Sequence, residues 1–222
     1  MQRLLKDNGL SLVLGSLFIV FLVGHSIAGL LDYNAEQQSH GQQVVGYLSY
    51  LTTAHFLESV AENWESEFLQ IFGYVMLTAF LFQRGSAESK DPDQPDPVDR
   101  DPRLEANRED APWPVRRGGL ILRVYEQSLS LAFLVIFITT FVLHAVSGAR
   151  EYNAEQLAHS AGPELSTLEY IGTARFWFES LQNWQSEFLA IAAVVVFSIY
   201  LRQRGSPESK PVDAPHSSTG KE

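Results

Sequence analysis

Residues 10–31, LSLVLGSLFIVFLVGHSIAGLL, run for 22 positions without an Asp, Glu, Lys or Arg. At about 1.5 Å per residue a helix of that length covers about 33 Å, enough to cross a bilayer core of about 30 Å. Residues 128–149, SLSLAFLVIFITTFVLHAVSGA, repeat the feature in the second half of the 222-residue chain. The mean hydropathy of −0.04 conceals both, because the stretches between them are strongly polar. Two further uncharged runs, 68–83 and 188–201, are shorter. They reach spanning length by borrowing from their flanks: Trp64 and Trp184 favour the interface at one end, and Arg84 and Arg202 snorkel at the other. The expected spans are therefore about 10–31, 64–83, 128–149 and 182–201.

Working outward from these runs exposes a duplication. His25, Tyr33, Asn34, Glu36 and His40 recur 119 positions later as His144, Tyr152, Asn153, Glu155 and His159. After one inserted residue, Asn63-Trp64, Ser66-Glu67-Phe68 and Gln83-Arg84-Gly85-Ser86 recur 120 positions later. Two spans per copy return the chain to its starting side, so the copies run parallel, related by an axis along the membrane normal. The predicted fold is an all-α membrane protein of four transmembrane helices, two tandem parallel repeats of a helical hairpin with amphipathic outer helices. Repeat 1 covers 1–85 and repeat 2 covers 120–205. Residues 86–119, charged and proline-rich, form a cytoplasmic linker with little to bury, and 206–222 form a similar tail; both are expected to be disordered.

Fourteen of the 16 Lys and Arg lie in the N-terminus, the linker region or the tail, and only Arg150 and Arg175 lie in the long loops. The positive-inside rule then places both termini and the linker in the cytoplasm. MQRLLK followed by an apolar run resembles a secretory leader, but its mid-chain equivalent at 128–148 cannot be cleaved off, so it is read as the first span. A net charge of −10 argues against nucleic acid as a partner, and the absence of cysteine excludes disulfides and thiolate metal sites.

Two constellations could carry chemistry. His25 and Glu67, each roughly 22–24 Å up its helix, sit at similar depth beneath the outer boundary, and His144 and Glu187 repeat them. Ionisable groups at such depth are costly and are paired or functional. They suit a proton-handling pair, a metal site of two His and two Glu, or axial haem ligation; the plainer alternative is an interfacial hydrogen-bond clamp. The second constellation is a polar stripe at outer helix ends, Asp32, Glu36 and His40 with Glu151, Glu155 and His159, which suits a divalent metal or simply a solvated helix end. Tyr47, Tyr50, Phe56, Tyr170, Phe176, Trp177 and Phe178 mark outer segments resting on the leaflet. Gly24/Ala28 and Ala145/Ala149 have the spacing that permits close helix contact. No phosphate-binding loop, nucleophile elbow, dinucleotide fingerprint or His-Glu-x-x-His motif occurs. No catalytic residue is assigned, and no cofactor is required.

The paired Asn-Trp-x-Ser-Glu-Phe-Leu (63–69, 183–189), Tyr-Asn-Ala-Glu-Gln (33–37, 152–156) and Gln-Arg-Gly-Ser-x-Glu-Ser-Lys (83–90, 203–210) motifs, with Ala-Pro-Trp-Pro-Val-Arg-Arg-Gly-Gly (111–119), resemble a family of bacterial membrane proteins classed as a domain of unknown function. The resemblance implies a bacterial inner-membrane location and brings no activity with it. The leading expectation is a non-enzymatic envelope or accessory protein whose partners are the lipid bilayer and a membrane or periplasmic protein, or a second copy of itself. The competing class is a small transporter or a cation- or haem-binding membrane protein using His25, Glu67, His144 and Glu187.

Overall fold

The computed structural model describes residues 2–158 and 162–220, with side chains from Lys6 onward. It is about 70% helical, and the described residues contain no strand. In chain order the helices are α1 (Gln2–Ser39), α2 (Tyr47–Tyr50), α3 (Ala54–Phe80), α4 (Trp113–Arg117), α5 (Gly119–Glu126), α6 (Ser128–Ala158), α7 (Thr167–Ile171) and α8 (Ala174–Tyr200). Two 3-10 turns, Pro97–Asp99 and Pro102–Glu105, lie in the charged linker, each capped by an Asp side chain.

Three helices are long and apolar enough to cross a membrane: Lys6–Ser39, Ser128–Ala158 and Ala174–Tyr200. Helix α3 is as long as α8 but is less apolar and is not among them, so three of the four expected spans have the length and apolarity to cross. The reason lies in its side chains. Where α8 has Gln185, Ala190, Ala193 and Val194, α3 has Glu65, Gln70, Gly73 and Tyr74. Its polar groups are satisfied by protein. Gln70 Nε2 donates to the Glu187 carbonyl at 2.8 Å, Tyr74 Oη donates to Glu88 at 2.6 Å, and Trp184 Nε1 donates to the fully buried Glu65 at 3.0 Å.

The chain divides into two compact units, 1–61 with 142–176 and 62–141 with 177–222. In the first unit the same bonds recur at the sequence-repeat spacing. The Asn34 side chain accepts from Val45 N–H at 2.9 Å and donates to Val45 C=O at 3.0 Å; Asn153 does the same to Leu165, both at 2.8 Å. An amide that completes both backbone groups of an otherwise free loop residue removes two desolvation penalties at once, which pins the returning chain to the helix it left. Tyr50 and Tyr170, both fully buried, then lie against Gly29 and Gly148, where no side chain stands in the way. Thr53 and Thr173 cap the starts of α3 and α8 by accepting from Phe56 N–H and Phe176 N–H, each at 3.2 Å.

In the second unit Phe68 stacks on Phe133 and Trp184 meets Phe137 edge-on, so α3, α6 and α8 share an aromatic seam. Each Gln-Arg-Gly-Ser exit closes as a turn: Ser89 Oγ accepts from Gln83 N–H at 2.8 Å, and Ser209 Oγ accepts from Gln203 N–H at 2.9 Å. The tail folds back on the first of these turns. Lys210, 1% exposed, donates to the carbonyls of Gly85, Pro215, His216 and Ser218. Where the linker meets the second repeat, α4 and α5 enclose a small core of Ala111, Val115 and Leu122, turning through Gly118 and Gly119 at φ +68° and +64°.

Candidate functional site

Helix α6 brings His144 into the first unit with no exposed surface, its ring stacked on Phe176 at a centroid distance of 4.8 Å. One turn further along α6, Gly148 leaves the space that the Tyr170 ring and the Glu58 carboxylate occupy. Glu58, 8% exposed, enters from the first turns of α3, accepts a hydrogen bond from Tyr170 Oη at 3.3 Å, and places a carboxylate oxygen within 4.8 Å of a His144 ring nitrogen. An imidazole and a carboxylate held this close out of water favour an arrangement in which a positive charge lies between them, whether a proton or a metal ion.

A second group gathers at the C-terminal ends of α1 and α6. His55 Nδ1 pairs with Tyr50 Oη at 3.1 Å, and its ring lies 5.2 Å from that of Tyr33. Burial holds this imidazole below its ordinary range, opposed by the carboxylates of Glu36, Asp32 and Glu155, with His25 acting in the same direction as burial. Burial pushes the Tyr50 hydroxyl up, aided by Asp32 and Glu151. Glu151 is half-buried within reach of the His55 backbone N–H and of the charges on Glu155, Glu36 and Arg175. Arg175 makes a two-pronged ion pair with Glu155, and its guanidinium lies over the Tyr152 ring at 5.8 Å.

The residues singled out from the sequence fare differently. His25 is exposed, and its Nε2 meets Ser59 Oγ at 3.3 Å, so the two repeat-equivalent histidines occupy unlike environments. Glu67 and Glu187 lie in the other unit, one exposed and one half-buried, close enough to feel each other's charge. Among the described residues, no trio of His, Asp or Glu ligand atoms gathers at His25, Glu67 or Glu187. Asp32, Glu36 and His40 are exposed, and His40 Nδ1 bonds back to the Glu36 carbonyl at 3.0 Å, as at a helix end. His159 lies outside the described residues. Of the small-residue pairs, Ala145 and Ala149 are buried, at 1% and 3% exposure, whereas Gly24 and Ala28 are exposed.

Sequence reasoning missed Glu58. The signal was present: Glu58, Glu62 and Glu65 recur at four- and three-residue intervals, an acidic stripe along one face of a helix. All three have protein partners, Glu62 accepting from Asn183 Nδ2 at 2.6 Å. A solvated face would have been the ordinary reading of that pattern; the tertiary fold turned it inward.

No curated protein and no solved structure matches the chain. The paired motifs, the long apolar helices and a family model matching residues 1–221 agree, and the chain belongs to the DUF6766 family, a domain of unknown function.

Proposed function

We propose that this chain is a non-enzymatic integral protein of a bacterial inner membrane that holds a small cation, a divalent metal ion or a proton, between Glu58 and His144. The observation that carries the reading is the buried imidazole with a buried carboxylate within 4.8 Å, in a chain whose helices are apolar enough to span a bilayer. A buried ionisable pair in such a chain is retained at a cost in stability, and that cost marks it as functional. The space is lined by Phe176, Tyr170 and Gly148, which suits an ion better than a haem. Imidazole with carboxylate oxygen favours zinc or another first-row divalent ion.

The reading carries a topology: four spans, with α3 as the fourth, arranged as two parallel hairpins with both termini and the linker cytoplasmic. In favour stand the equal lengths of α3 and α8, the internal satisfaction of the polar groups of α3, and the recurrence of local bonds 119–120 residues apart. Metal-stripped protein in detergent, titrated with Zn²⁺ while its melting temperature is followed, tests the site. A saturable rise that is lost in Glu58→Gln and in His144→Ala is expected for the metal form. If zinc has no effect, a proton remains, and uptake on acidification must then differ between the wild type and Glu58→Gln. Identical behaviour of wild type and variants in both assays refutes the site.

One observation favours a second reading, an accessory role through the outer segments. Leu48 and Leu168, at equivalent positions of the short helices α2 and α7, are 79% and 82% exposed. A leucine presented at the tip of each outer segment suits a partner protein or the outer leaflet surface.

A further inference from the structure

Residues 113–125, WPVRRGGLILRVY, which join the end of the charged linker to the start of the second repeat, carry three arginines and no acidic residue in a chain of net charge −10. In the structure they form a small ordered piece. Helix α5 turns Leu122, 2% exposed, inward against Val115 and Ala111 of the α4 segment. Leu120, Ile121, Val124 and Tyr125, at i, i+1, i+4 and i+5, form a second apolar face beside it, and all four are exposed, as is Trp113 at 59%. A helix whose inward side is already filled has no packing reason to keep four apolar side chains outside. Arg116, Arg117 and Arg123 are exposed too, and none is in an ion pair with a described residue.

What lies beside this face follows from chain continuity. A single residue, Gln127, separates α5 from the membrane-crossing α6, and its backbone leaves the helical region at φ −111°, ψ 7°. Asn8, 119 positions earlier, breaks α1 in the same way at φ −130°, ψ 15°, just after Arg3 and Lys6. Such a break frees the preceding segment from the direction of the span, so it can turn into the plane of the headgroups.

We propose that residues 113–125 form a membrane-surface foot in which Arg116, Arg117 and Arg123 bind anionic lipid headgroups while Trp113, Leu120, Ile121, Val124 and Tyr125 sink into the headgroup–acyl boundary. The inference rests on α6 crossing the bilayer. Guanidinium groups pair well with lipid phosphates, and the amphipathic face supplies the apolar part of the attachment.

The test uses the full chain in nanodiscs with Trp113 as sole tryptophan, Trp64, Trp177 and Trp184 being replaced by Phe. The bilayers carry brominated acyl chains and are either zwitterionic or enriched in phosphatidylglycerol. Trp113 emission is expected to be quenched by the brominated chains, more strongly in the anionic discs, and Arg116→Gln/Arg117→Gln/Arg123→Gln is expected to abolish the anionic preference. An unquenched Trp113 beside a quenched Phe137→Trp probe in α6 overturns the foot while leaving the spanning helix in place. Loss of quenching at both positions overturns the membrane reading and the foot with it. Should the tryptophan replacements disturb folding, hydrogen exchange of the unmodified protein decides: slower exchange at 119–126 in anionic discs supports the foot, and equal exchange in both lipids overturns it.

Discussion

Replacing Gly148 by Ala places a methyl group where the fold has put two other side chains. An added Cβ would lie 2.6 Å from Tyr170 Cε1, 2.8 Å from Tyr170 Oη and 2.8 Å from Glu58 Oε1. Carbon atoms pack best at about 3.5–4.0 Å, so something must move. Tyr170 is fully buried and held against Phe176 and Tyr152, so the ring cannot swing into solvent. Overpacking of this kind costs about 1–3 kcal/mol. It is opposed by the gain of about 1 kcal/mol from removing a glycine from a helix interior. Gly24→Ala isolates that gain, because nothing lies within 4 Å of its added Cβ. The decisive quantity is therefore the difference between the variants, with Gly148→Ala the less stable by about 1–3 kcal/mol. Thermal unfolding in detergent, followed by circular dichroism, measures it. A Gly148→Ala protein that melts as high as Gly24→Ala would refute the seating of Tyr170 and Glu58 against α6. A double-mutant cycle with Tyr170→Ala should recover most of the penalty, since the two residues share one space.

Two further outcomes follow from the first unit. Asn34→Ala and Asn153→Ala each strip two hydrogen bonds from a loop residue; each should cost about 1–3 kcal/mol in unfolding, and a loss under about 0.5 kcal/mol would contradict the pinning. His55, held below its ordinary range chiefly by burial, stays neutral in the fold while the unfolded chain takes up a proton below about pH 6.5. Its contribution is therefore whole above that value and is lost as pH falls through the folded value, so His55→Gln should flatten the acid limb of stability against pH between about 7 and 5; an unchanged slope would show that other groups set that limb.

The membrane character was legible because a bilayer reads only length and apolarity, and residues 10–31 and 128–149 announce both without help from neighbours. The duplicated motifs were legible too, and Asn34 and Asn153 within them make matching bonds to the loops that follow, but Tyr50 and Tyr170, read as resting on the leaflet, are fully buried. Helix α3 shows where this ends. Its run from Phe68 looked like a shortened span, yet Gln70 and Tyr74 are polar because they bond to α8 and to Glu88, partners that sequence order does not reveal.

The sequence by itself determined the helical class, the apolar stretches and the residue types available for chemistry, since these depend on local propensity and on transfer from water. Only the tertiary structure decided that His144 is buried while His25 is exposed, and that Glu58, rather than a residue of the repeated motifs, stands beside it. Identical motifs fix identical local bonds. Burial depends on what packs from elsewhere: each histidine has a phenylalanine ring beside it, but only His144 also has the Glu58 carboxylate of α3 next to it, while His25 meets Ser59.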